Sequence, residues 1–148
     1  MKISEKEDWI YYEPDSIAKK KLLTADKCGK WMYFANDVNF AAELCKKAVE
    51  SDVVVQAKHA KKKSFQYKRL LCCFYLNVDD VEGHVKTIQF FLDNDLIGKT
   101  KSGRLRNISF KLDIQTIAES LGLLKSYTPI LTLDHFLDLD TGEWKVKK

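Results

Sequence analysis

Between Lys58 and Arg69 the chain has six basic residues and no acid, and between Lys99 and Lys111 it has five more, again with no acid. These segments carry +6 and +5, which leaves the remainder at −7 against a formal net charge of +4. A charge run alone is most often a solvated loop. Two acid-free runs, each bordering a strand-like segment, point more firmly to an anion site. Side chains alternate between faces along a strand, so Ile108, Phe110 and Leu112 oppose Ser109, Lys111 and Asp113. By the same alternation Val53, Val55 and Ala57 oppose Val54, Gln56 and Lys58. With both apolar sets turned to the core, Gln56, Lys58, Ser109, Lys111 and Asp113 share an open sheet face. Two lysines there suit a phosphate, because charge-assisted hydrogen bonds are about twice as strong as neutral ones. Asp113 would orient Lys111 or accept from the ligand. The bland alternative is an exposed face dressed with polar residues.

The elements that must position these side chains follow from periodicity. Residues 1–27 read as an N-terminal arm packed on the domain through Trp9, Tyr11 and Tyr12, with a turn at Glu13-Pro14-Asp15-Ser16. Residues 28–148 read as one α+β domain. Lys30 to Phe34 is an aromatic strand. Asn36 or Asp37 then caps a helix whose stripe is Ala41, Leu44, Cys45, Ala48 and Val49. Val53 to Lys58 and Leu70 to Leu76 are strands on either side of the lysine loop at 61–63. Asp79 with Glu82 resembles a capping box, and Val81, Val85, Ile88 and Leu92 mark one helix face. Gly83 weakens that helix slightly. Asn107 to Asp113 is the next strand, Ile114 to Leu121 a short helix, and Ile130 to Trp144 a hairpin turning at Asp140-Thr141-Gly142. The β-α-β-β-α-β order is the split βαβ arrangement. It predicts a curved, mostly antiparallel sheet with helices on one face.

At 148 residues and 45% hydrophobic composition the chain suits a single folded unit. No run approaches the ~20 apolar residues that span a bilayer, and residues 1–8 lack the apolar stretch of a secretory signal. Cys28, Cys45, Cys72 and Cys73 show no C-x-x-C or zinc spacing, so the expectation is buried thiols in a reducing cytoplasm with no metal or cofactor. There is no Walker loop, GxGxxG, HExxH or nucleophile elbow. His84 is placed on the surface side of its helix and His135 in the last apolar segment, both structural.

Four segments carry a family resemblance: Lys30-Trp31-Met32-Tyr33-Phe34, Ala57-Lys58, Cys73 to Asp80, and Phe110 to Ala118. Together they resemble small bacterial and phage proteins labelled as a phosphothreonine lyase domain. More distantly they resemble the basophilic-leukaemia-expressed family, whose fold is like translation initiation factor 4E. The most specific piece is the pattern at Lys111, Asp113, Thr116 and Ala118, which adds Thr116 to the candidate ligand residues. Where the family continues Ala-Gly-x-Tyr-Gly, this chain has Glu119 and Leu121 and keeps Gly122. The resemblance implies an initiation factor 4E-like fold and, for an enzyme, elimination of phosphate. That reaction needs a base beside a carbonyl and an acid at the leaving oxygen. Lys111 or Lys58 would be the base and His59 the acid, although adjacent residues on a strand face opposite ways.

The preferred expectation is a non-catalytic module that binds an anionic, phosphorylated ligand, either a nucleotide or a phosphorylated protein segment. The lyase is the enzyme alternative, and a phage-encoded inhibitor acting on a host defence complex by protein–protein interaction is a third class. Specific RNA binding on a platform of Trp31, Tyr33 and Tyr75 ranks lower, because the Lys68 to Tyr75 strand lacks the glycines of the usual signature. No membrane partner is expected.

Overall fold

A computed structural model describes residues 1–18, 21–64, 68–121 and 130–145. Among these, seven strands form one curved, wholly antiparallel sheet. In chain order they are β1 (Lys2–Lys6), β2 (Trp9–Glu13), β3 (Cys28–Ala35), β4 (Gln56–Ala60), β5 (Leu70–Asn77), β6 (Ser109–Leu112) and β7 (Leu131–Thr132). Helix α1 (Val38–Glu50) joins β3 to β4, α2 (Val81–Asp93) leads from β5 towards β6, and α3 (Asp113–Ser120) follows β6 directly. The spatial order is β1-β2-β4-β5-β3-β6-β7. Its inner four strands, β4-β5-β3-β6, belong to the βαββαβ unit predicted from the sequence.

Alternation along these strands builds the core. Trp31 pairs with both Phe74 and Phe110, and all three are almost wholly buried beneath α1 and α2. The α1 stripe of Ala41, Leu44, Cys45, Ala48 and Val49 is buried as periodicity demands, and Asp37 caps the helix by accepting from the Phe40 N–H at 2.8 Å. Helix α2 departs from the expected stripe. Its cap is Asp80, not Asp79, accepting from Gly83 N–H at 3.0 Å. The buried face is His84, Thr87, Ile88 and Phe91, whereas Val81 is exposed. Polar residues occupy core positions here because each finds a partner. His84 Nδ1 accepts from the Trp31 indole at 3.0 Å, and Thr87 donates to the Gly83 carbonyl at 2.8 Å. Gly83 leaves room for this cap, since a Cβ would meet the Asp80 carboxylate and stand 2.9 Å from Leu76, so a larger residue would have to displace the capping side chain.

Other expectations change as well. The N-terminal arm supplies two strands of the sheet, with β2 paired to β4 from Trp9↔Ala60 to Tyr12↔Ala57. Val53 to Val55 is not strand: Val54 and Val55 are consecutive and both buried, which a pleated strand with one covered face does not permit. The terminal hairpin shrinks to β7, a 3₁₀ turn at Leu133–His135 and a single Leu137↔Trp144 bridge around the 138–143 turn. The helices do not all share one face. While α1 and α2 cover the Trp31 side, Thr116 of α3 reaches Lys30 on the other. Among the described residues no helix is long and apolar enough to cross a membrane.

Candidate ligand-binding face

Strand register places the lysines. On the face opposite α1 and α2, Gln56 lies beside Tyr75, Tyr75 beside Lys30, and Lys30 beside Lys111, forming one row across β4, β5, β3 and β6. The adjoining row runs Tyr11, Lys58, Cys73 and Met32 across β2, β4, β5 and β3. Lys58 and Lys111 therefore share a face, together with Gln56; Ser109, two residues before Lys111 on β6, joins them. Three strand spacings and one step of two residues separate Lys58 from Lys111, roughly 16 Å between backbones. The Lys58 ammonium leans the other way, 3.9 Å from the centre of the Trp9 ring and 5.5 and 5.6 Å from those of Tyr11 and Tyr75. The two lysines thus do not converge on one phosphate, as the sequence had suggested.

Lys30 stands between them, and alternation along its strand had not marked it as a site residue. It is 7% exposed. Its ammonium donates to Asp113 Oδ1 at 2.9 Å and to Thr116 Oγ1 at 2.8 Å. These acceptors are three residues apart at the start of α3, hence on one helix face. Asp113 is therefore the first residue of a helix and not the last of a strand, and it serves Lys30, a partner not foreseen. The signal was present: Lys30 alternates with Cys28 and Met32 and opposes Trp31, so a charge had to enter the other face.

The remaining side chains of this face are more apolar than expected. Cys28, Cys73 and Tyr75 form a small buried cluster with Leu23, Met32 and Leu71 packed on it. Cys28 donates to Asp113 at 3.4 Å. Burial, then Asp113, pushes the Cys28 thiol up to about 12, and burial pushes Cys73 up to about 11. Both are thiols, not thiolates, at neutral pH. Burial also raises the Tyr75 hydroxyl well above its usual range. It pulls the Lys58 ammonium below its ordinary value, with Cys73 opposing and Lys30 adding to the effect. Among the described residues Lys58 forms no ion pair and meets no hydrogen-bond acceptor; its close partners are the three rings.

The histidines belong elsewhere. His59 lies on the core face, fully buried, with Nε2 2.9 Å from the Tyr12 hydroxyl and Nδ1 2.9 Å from the Ala60 carbonyl. This removes it as an acid working beside Lys58. His84 is buried rather than on the surface side of α2, and its Nε2 lies 2.9 Å from the Val78 carbonyl. His135 is exposed and caps its own turn through Thr132. Trp31 and Tyr33 occupy the face opposite Tyr75, so the three cannot form one stacking platform. Gly122, the surviving glycine of the family pattern, lies outside the described residues, as do the side chains of residues 117–120. Among the described residues no group of His, Cys, Asp and Glu could hold a metal ion. No family model matches the chain, and no curated protein matches it.

Proposed function

We propose that the face carrying Lys58, Lys30 and Lys111 binds an extended, phosphate-bearing ligand, in the class of a nucleotide or a phosphorylated protein segment, without turning it over. The observation that carries this reading is Lys58. A half-buried ammonium held only by aromatic rings keeps its three N–H donors for a partner, and a phosphate oxygen is a strong acceptor for it. Lys30 differs, since Asp113 and Thr116 already engage it and it holds α3 against the sheet; Lys58 is the outer contact of the face, with Lys111 on the strand beyond Lys30. Their separation favours an elongated ligand over a single compact phosphate. Gln56 and Ser109 add neutral hydrogen-bonding groups along the same face.

A phosphothreonine lyase, which the motif resemblance implies, would need an acid on this face in place of His59. An inhibitor acting on a host protein would use surface rather than chemistry. One experiment separates the three. The purified chain is titrated calorimetrically with ATP, ADP, inorganic phosphate and a phosphothreonine peptide, and free phosphate is assayed in parallel. The expected result is binding of ATP or the peptide, no phosphate release, and a loss of ~1.5–3 kcal/mol in Lys58→Ala. Phosphate release from the peptide would establish the lyase. Binding unaffected by Lys58→Ala, or none at all, would defeat the reading.

A further inference from the structure

The helix layer leaves a gap on the other side of the sheet. Helix α1 packs on β4 and β5 and α2 on β5, but the two helices barely meet each other. Between them runs a groove of about 480 Å³. One wall is α1 around Lys47, the other is α2 from Val85 to Asn94, and Val53 closes the floor. Val53 reaches this place because α1 ends abruptly. Asp52 turns the chain back at φ 57°, and the Val53 N–H donates to the Ala48 carbonyl at 2.9 Å. Val53 and Val85 are half-buried, and Phe90 lies beneath them with its ring on Phe74. Covering such an apolar floor with a second surface would remove it from water, which is favourable in proportion to the area. The charges beside it come in a balanced pair. Lys86 and Asp93 are seven residues apart, two turns along one side of α2. Both are loosely held among the described residues. Lys86 stands 3.7 Å from the exposed Glu82, and Asp93 accepts from the neutral Gln89 amide at 2.9 Å. Across the groove Lys47 donates to the Asn94 amide oxygen at 2.9 Å, which is neutral as well.

We infer that the α1–α2 groove is the contact between two copies of this chain, each laying its α2 antiparallel along the other's and lidding the other's groove. A two-fold axis midway between Gln89 and Phe90 leaves Lys86 and Asp93 equally far to either side. It therefore sets Lys86 of each copy against Asp93 of the other. Such a contact is isologous, so one patch serves both copies and the assembly closes at two. A partner of single charge sign would match one of these residues and repel the other. A copy of α2 running backwards supplies both signs in the right order. This surface lies on the helix side of the sheet, away from the Lys58 face, and the inference stands whether or not that face binds a ligand.

The test is sedimentation equilibrium of the full chain from low to high micromolar concentration. The native chain should pass from monomer to dimer and no further. Lys86→Glu should raise the dimer Kd about tenfold, because acids then face each other on both sides of the axis, and Asp93→Lys should do the same with lysines. Lys86→Glu/Asp93→Lys exchanges the two charges and should return the Kd to within about twofold of the native value. Lys62→Glu, which changes the net charge equally on the loop after β4, should leave it unchanged. Thermal melts of each variant keep unfolding from being read as dissociation. A chain that stays monomeric throughout, or a dimer indifferent to both single reversals, would overturn the inference. So would a double variant no tighter than the singles, because the two charges would then not face each other. Growth beyond a dimer would overturn it too, since an isologous contact closes.

Discussion

The two faces of the sheet bury ionisable groups in opposite ways. On the α1/α2 face both His59 and His84 are buried, His59 against the Tyr12 ring and His84 among Trp31, Phe110 and Phe136, and burial holds His84 below the ordinary imidazole range. Each histidine has both ring nitrogens occupied, by Tyr12 and Ala60 or by Trp31 and Val78. On the other face lysines replace histidines. There Lys30 has a carboxylate, whereas Lys58 has rings. A buried polar group fully supplied with partners is part of the scaffold. One supplied with shape but no acceptor has bonding capacity left over. The contrast sets the α1/α2 face as the stabilising core and, on the proposed reading, assigns recognition to the other.

That division is open to attack by substitution. Trp31→Ala removes the centre of the aromatic core and the indole donor to His84, and should cost ~3–5 kcal/mol in urea denaturation. A loss as large from Lys58→Ala would erase the distinction between the faces. Asp113→Ala strands the Lys30 ammonium, but Asp113 is 36% exposed. The cost should therefore fall to ~1–2 kcal/mol, below that of breaking a fully buried pair. Lys30→Met, which removes the charge with its need for a partner, should cost less than Asp113→Ala. The reverse order would mean that the ion pair itself stabilises the fold.

The pH dependence sharpens the same comparison. His84 has a folded pKa below its unfolded value of about 6.5, chiefly because burial disfavours the charged ring. Below that pH the unfolded chain binds the extra proton. Its contribution is thus fully present above about 6.5 and is lost as pH falls through the folded value. Thermal melts between about pH 7 and 5 should show this decline in the native chain and a flatter profile in His84→Gln. The smallest effect belongs to the loops: Lys62→Ala should leave stability within ~0.5 kcal/mol of the native chain.

What the sequence disclosed follows from which residues obey their usual habits. The α1 stripe was legible because Ala41, Leu44, Cys45, Ala48 and Val49 are all apolar and all buried. The α2 face was misplaced because His84 and Thr87 hold core positions that polarity disguises. The β1–β2 hairpin was hidden for another reason. Its pairing with β4 joins Tyr11 to Lys58, a neighbour relation that no local pattern announces. The shared face of Lys58 and Lys111 followed from alternation, although the Val53–Val55 segment used in that argument is not strand. Their failure to converge did not, since spacing across a sheet depends on strand order. Lys30 was missed because buried lysines are rare, and only its Asp113–Thr116 partners, on an element 83 residues away, explain it.

That last separation has a kinetic side. The row of Gln56, Tyr75, Lys30 and Lys111 is assembled from strands that meet only after long chain loops have closed, and pairings of this kind form slowly. No fragment ending before β6 contains the row, so during synthesis the face cannot form until β6 has emerged. A ligand that recognises it binds the native state and not its precursors. It would then shift the folding equilibrium by mass action, and where the row is absent from the transition state it would act chiefly by slowing unfolding.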